Sequence, residues 1–90
     1  ADGDVIPLIK PQFEAGPELV GKGGIVRDPT VHRAVLQDVL GWAESAGWQV
    51  RGLMRSPIQG AEGNVEFLAW LRPGLPAHPP MVDYIGRLFD

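Results

Sequence analysis

The sequence predicts an α/β fold. Three strands stand in the order first-third-second with the third antiparallel, joined by one crossover helix and followed by a helical tail. Three observations predict it. "DVIPLIK" (4–10) and "NVEFLAWLR" (64–72) are nearly continuous apolar runs, the pattern of strands covered on both faces. "RDPTVHRAVLQDVLGWAESAG" (27–47) carries an apolar stripe of helical period. "SPIQGAEG" (56–63) is a turn region between the last two apolar runs, as a hairpin requires.

The elements follow in order. Residues 4–10 form the first strand. Residues 11–28 contain Gly16, Gly21, Gly23, Gly24, Pro11 and Pro17 without any period, so they read as a loop. A connection this long in a compact domain is often functional. The helix starts at Asp28, whose side chain can cap it, with Pro29 in the first helical position. Val31, Val35, Val39 and Ala43 recur every four residues, flanked by Leu36 and Leu40, and Gly47 is a natural stop. "WQVRGLMR" (48–55) is the second strand. In the third strand Val65, Phe67, Ala69 and Leu71 share one face, and Glu66, Leu68 and Trp70 share the other. With both faces mostly apolar, this strand belongs in the centre. "PGLPAHPP" (73–80) is a proline-rich linker, and "MVDYIGRLFD" is a short amphipathic helix with Met81, Ile85, Leu88 and Phe89 on one side. The helical crossover makes the first two strands parallel, and the hairpin returns the third antiparallel between them. Such a sheet leaves one face poorly covered, as the last third of a larger α/β domain would.

Composition narrows the chemistry. The chain has 90 residues, 44% apolar and 21% charged, which is ordinary globular usage. With no cysteine, disulfides and thiolate metal sites are excluded. His32 and His78 lack metal-ligand spacing, so no metal is expected. A net charge of −3 exerts no global pull on nucleic acid. No apolar run approaches ~20 residues, so no membrane span is expected. The acidic start is no signal peptide, and a cytoplasmic location is expected.

Two lysines compete for the chemistry. Lys22 lies in "GPELVGKG" (Gly16 to Gly23), which fits G-x-x-x-x-G-K and fails where Gly23 replaces the magnesium-holding hydroxyl. The helix also starts several residues too late to receive a phosphate. The loop therefore reads as a turn-rich surface segment. Alternatively, Lys22, Arg27 and Arg33 form a local basic patch for RNA phosphates. Lys10 ends the first strand at the carboxyl edge of the sheet, where ligands bind in open α/β sheets. Glu66 starts the antiparallel neighbour, so topology brings the two together. A carboxylate beside a lysine orients its ammonium. The same geometry also suits a structural salt bridge at a sheet edge.

"LIKPQFEAGPELVGKGGIVRDPTVHRAVL" and "SPIQGAEGNVEFLAWL" closely resemble the hemolysin A family of FtsJ-like, S-adenosylmethionine-dependent rRNA 2′-O-methyltransferases. The resemblance covers about residues 4–72. It rests on K-P-Q-F-E, V-G-K-G-G, R-D-P-x-V-H, S-P-I-x-G and G-N-x-E-F in order. It implies that residues 1–72 are the C-terminal part of a Rossmann-like methyltransferase domain, with 73–90 a linker and tail. It implies a Lys-Asp-Lys-Glu tetrad in which Lys10 matches the second lysine and Glu66 the glutamate. The other two members, the S-adenosylmethionine loop and an S4-type RNA-binding module would lie upstream. The chain is then expected to be a fragment inactive on its own, with ribosomal RNA and the upstream part of the domain as partners. A ribose 2′-hydroxyl keeps its proton near neutral pH. A lysine can remove that proton as a base or stabilise the alkoxide as a cation.

Two other readings stand beside this one. A membrane-active hemolysin would need an apolar span or a basic amphipathic helix, and the sequence has neither. A nucleotide-binding domain would use the Gly16–Gly23 loop. The bare edge of the first strand predicts that these residues alone self-associate as a homodimer.

Overall fold

The computed structural model describes residues 3–21, 23–60, 63–75 and 81–89. In chain order these form β1 (Leu8–Ile9), α1 (Pro11–Glu14), a 3-10 turn (Pro17–Leu19), α2 (Pro29–Ser45), β2 (Trp48–Arg55), β3 (Phe67–Pro73) and α3 (Met81–Phe89). The sheet order is β1-β3-β2, with β3 antiparallel to both neighbours, as expected.

Three expected boundaries are corrected. The first strand is shorter than 4–10, because Pro7 has no N–H to give the ladder. Pairing nonetheless runs on in one register: Val5 exchanges two bonds with Leu71, and the Pro7 carbonyl accepts from Ala69 N at 3.2 Å. Residues 11–28 are not wholly irregular. Pro11 opens a single α-turn and Pro17 a 3-10 turn, each with proline in an early position where a missing N–H costs nothing. The third strand begins at Phe67 rather than residue 64, since the turn ahead of it engages the Asn64 backbone: Gly60 N donates to Asn64 O at 2.8 Å. Of the expected linker, residues 76–80 lie outside the described residues.

Helix α2 follows its signals. The Asp28 side chain accepts from Thr30 N at 2.9 Å, Pro29 is the first helical residue, and Gly47 turns the chain out at φ 94°. Val35, Leu36, Leu40 and Ala43 are buried against Val50, Phe67, Ala69 and Leu71 of the sheet. Helix α3 completes this layer. Ile85 is 1% exposed inside the same core, and Arg33 and Arg55 lie over the Phe89 ring at 5.5 and 5.4 Å. Arg55 also donates to the Leu88 carbonyl at 3.1 Å.

The apolar contacts of α2 and α3 fall on the side of the sheet that carries Val50, Phe67, Ala69 and Leu71. The other side carries Ile6, Leu8, Met54 and Trp70, all exposed, and Ile6, Met54 and Trp70 line a shallow apolar depression of about 260 Å³ there. A bulge between Val50 and Gly52 sets this face. It leaves Gly52 opposite Trp70 and brings Arg51 over the indole at 5.7 Å. Arg72 lies over the same ring at 5.5 Å, and Trp70 Nε1 donates to Asp4 at 2.7 Å. The Arg72 guanidinium forks onto both Asp4 oxygens at 3.0 and 3.2 Å. These bonds, Arg72 first and Trp70 second, hold the Asp4 carboxyl below its ordinary value of 3.8.

Candidate active site

The ladder between β1 and β3 ends on the pair Ile9↔Phe67. One step further along the same register come Lys10 and Glu66, on adjacent segments of the chain at one edge of the sheet. Glu66 is held from the other side as well, since Ser56 N donates to its carbonyl at 2.8 Å. Lys10 is fixed differently. It is the N-cap of α1, and its carbonyl accepts from Phe13 N and Glu14 N at 2.9 and 3.2 Å. Backbone bonds thus set both Cα positions, and the side chains decide what meets.

The Glu66 side chain is buried, the residue being only 4% exposed. Its Oε2 accepts from Gln12 Nε2 at 2.7 Å. Gly60 makes the room, because a Cβ built there would collide with the carboxylate. That is a physical reason for glycine at the end of S-P-I-x-G. The Lys10 Nζ stands 5.6 Å from the centroid of the Phe13 ring, and Phe13 is itself exposed. Among the described residues no ion pair joins Lys10 to Glu66. The arrangement therefore differs from a simple salt bridge: the two positions converge, while Gln12 occupies the carboxylate.

A second network fixes the glycine-rich loop beside this edge. Asn64 Oδ1 accepts from Val26 N at 2.9 Å, and Asn64 Nδ2 donates to Gly24 O at 3.0 Å. His32 Nε2 bonds the Val26 carbonyl at 2.8 Å, with its ring edge-on to Phe67 at 5.7 Å. His32 and Asn64 are both buried. Three of the quoted sequence blocks, V-G-K-G-G, R-D-P-x-V-H and G-N-x-E-F, meet at these bonds. Sequence reasoning missed Gln12, His32 and Asn64 as partners. The available signal was a polar residue inside an otherwise apolar or glycine-rich block.

Lys22 lies outside the described residues. Arg27 is exposed, close to Gly21 in the loop before α2. Arg33 is packed against Phe89 beside a depression of about 300 Å³ shared with Pro29 and Thr30. The Gly16–Gly23 segment contains the 3-10 turn Pro17–Leu19 and follows α1 rather than a strand, and α2 begins only at Pro29. A phosphate loop runs directly from strand to helix N-terminus, so this loop lacks that geometry. Among the described residues no cluster of acidic or histidine side chains could hold a metal.

The fold is an α/β unit built on a three-stranded sheet of order β1-β3-β2. The model of the FtsJ-like methyltransferase family matches residues 3–73. The chain belongs to that family. It is 53% identical over 72 residues to YqxC of Bacillus subtilis, provisionally named an rRNA methyltransferase, covering 79% of this chain and 26% of that protein. It is 45% identical over 71 residues to the 16S/23S rRNA (cytidine-2'-O)-methyltransferase TlyA of Mycobacterium tuberculosis strain H37Rv, again covering 79% and 26%. The solved structure of a provisionally named hemolysin from Streptococcus thermophilus superposes with a TM-score of 0.82 at 42% identity, over 96% of this chain and 32% of that one. The chain thus spans about a quarter of the length of the curated relatives it matches.

Proposed function

We propose that the protein containing this chain is an rRNA ribose 2′-O-methyltransferase and that Lys10 and Glu66 are two of its catalytic residues. The observation that carries the proposal is their convergence at the carboxyl edge of β1, one register step beyond Ile9↔Phe67. In open α/β sheets that edge is where ligands bind. The names of the rRNA methyltransferase relatives supply the substrate class.

In this reading Lys10 meets the ribose 2′-hydroxyl. It either takes the proton as the hydroxyl attacks, or remains an ammonium and stabilises the developing alkoxide. Glu66 supplies fixed negative charge at the same edge and orients the donor groups around it. Arg27, Arg33 and Lys22 contact RNA phosphates and set register rather than sequence.

S-adenosylmethionine is the proposed methyl donor. Its binding needs a glycine-rich turn directly after a strand, opening a helix, and an acidic residue for the ribose hydroxyls. The described residues do not provide this, since β1 leads through Lys10 into Pro11 without a glycine. We place the donor site outside these residues, and with it most of the remaining catalytic machinery. Residues 1–72 then serve as the C-terminal part of the catalytic domain, and 73–90 as its linker and tail. On this division residues 1–90 alone are inactive, and the exposed face of Ile6, Leu8, Met54 and Trp70 meets the rest of the domain. A cytoplasmic location follows from the ribosomal substrate.

The hemolysin name carries less. Among the described residues no helix is long and apolar enough to cross a membrane. The test is incubation of the full-length protein with ribosomal RNA and labelled S-adenosylmethionine, followed by nucleoside mass spectrometry. A ribose-methylated nucleoside supports the proposal. Base methylation, or no transfer, rejects it.

A further inference from the structure

We propose that Gln12 is a positioning residue, whose Nε2 holds the Glu66 carboxylate and whose Oε1 receives the Lys10 ammonium when that leaves the Phe13 ring. The inference rests on the reading of Lys10 and Glu66 as catalytic. Gln12 itself touches no reacting atom in it.

The hydrogen-bond inventory gives the orientation. A carboxylate only accepts, so the amide facing Glu66 must present its nitrogen. The 2.7 Å bond from Nε2 to Oε2 is therefore fixed in sense, and Oε1 must face away. That oxygen is buried and accepts no bond. A buried acceptor without a donor is costly and rare enough to need a reason.

Lys10 can supply the missing donor. It is the extended N-cap of α1, two positions before Gln12, with three donors and no acceptor on its ammonium. Its backbone is pinned by the carbonyl bonds to Phe13 N and Glu14 N, so only the side chain has to move. Its present contact is the face of an exposed ring, 5.6 Å away. Such contacts are weak where water competes.

The neutral amide also resolves a chemical conflict. A carboxylate in direct contact with a lysine favours the charged form. A base must give up that form. A carboxamide between them orients the ammonium without placing full negative charge against it.

The experiment uses the full-length protein. Gln12→Leu keeps similar bulk and removes both hydrogen-bonding groups. Loss of the positioning is expected to lower kcat for methyl transfer about 10- to 100-fold, with KM for RNA changed less than about threefold. An unchanged kcat, or a defect confined to KM, overturns the inference. A second measurement needs no folded Gln12 variant. With selective ¹⁵N-glutamine labelling, the Gln12 side-chain amide is expected at low field and to shift upfield in Glu66→Gln. An amide signal indifferent to Glu66→Gln overturns the inference. Lys10→Ala and Glu66→Gln separate the two levels. If both retain full activity, the catalytic reading falls and takes this inference with it. If both lose activity and Gln12→Leu does not, this inference alone falls.

Discussion

Lys10 follows Ile9 and Glu66 precedes Phe67, the last paired residues of β1 and β3, so the two backbone positions come to one sheet edge while their side chains meet Phe13 and Gln12. The antiparallel return of β3 beside β1 creates that relationship. It places the end of one strand against the start of the other. A cation and a carboxylate from positions far apart in sequence thus share one sheet edge, with the Gln12 amide on the carboxylate.

The Asn64 clamp predicts a stability effect. Its carboxamide satisfies Val26 N and Gly24 O at once, in a buried site. Asn64→Ala removes both bonds and leaves the buried Val26 N–H without its acceptor, at an expected cost of about 1–3 kcal/mol. Urea denaturation of the full-length protein measures it. A loss below about 0.5 kcal/mol would mean that water replaces the clamp.

The tail helix predicts a core effect. Ile85 is buried among α2 and sheet residues, so Ile85→Ala is expected to destabilise by about 2–5 kcal/mol. Thermal or urea unfolding reads this directly. A surface-like value would show that α3 does not dock in solution.

Asp4 predicts a pH dependence. Its folded carboxyl is held below 3.8 by Arg72 and Trp70, while the unfolded carboxyl titrates near that value. A lowered value means the cluster's stabilisation is fully present above 3.8. It is lost as the pH falls through the folded value. The gap in urea stability between wild type and Asp4→Asn is therefore expected at neutral pH and to shrink below pH 3.8. The group is exposed, so the gap is small and salt-sensitive. A gap that widens with acidification contradicts the assignment.

The open sheet face predicts association. Ile6, Leu8, Met54 and Trp70 are exposed on that face, and the outer edge of β1 pairs with no strand among the described residues. Residues 1–90 expressed alone are expected to sediment as a dimer at micromolar concentration. A stable monomer would show that the Arg51, Trp70 and Arg72 cluster shields the face sufficiently.

The periodicity of α2 and the two-faced apolar character of β3 made the sheet order readable. Helix caps at Asp28 and Gly47 gave boundaries close to those observed, because each signal is local. The edge position of Lys10 and Glu66 was readable from topology. The side-chain partners were not. Gln12 sits in a stretch that looked like loop, and its bond to Glu66 spans 54 residues. His32 was hidden by its neighbours in the apolar stripe of α2. The bulge at Val50/Gly52 was invisible because one extra residue leaves composition unchanged.

Methyl transfer by the full-length protein in single turnover, wild type against Lys10→Ala and Glu66→Ala, tests the central claim most directly. The account predicts a fall of about 10²–10⁴-fold for each variant, with unfolding curves that show an intact fold. Wild-type rates in both folded variants would contradict it and reduce this sheet edge to a structural feature.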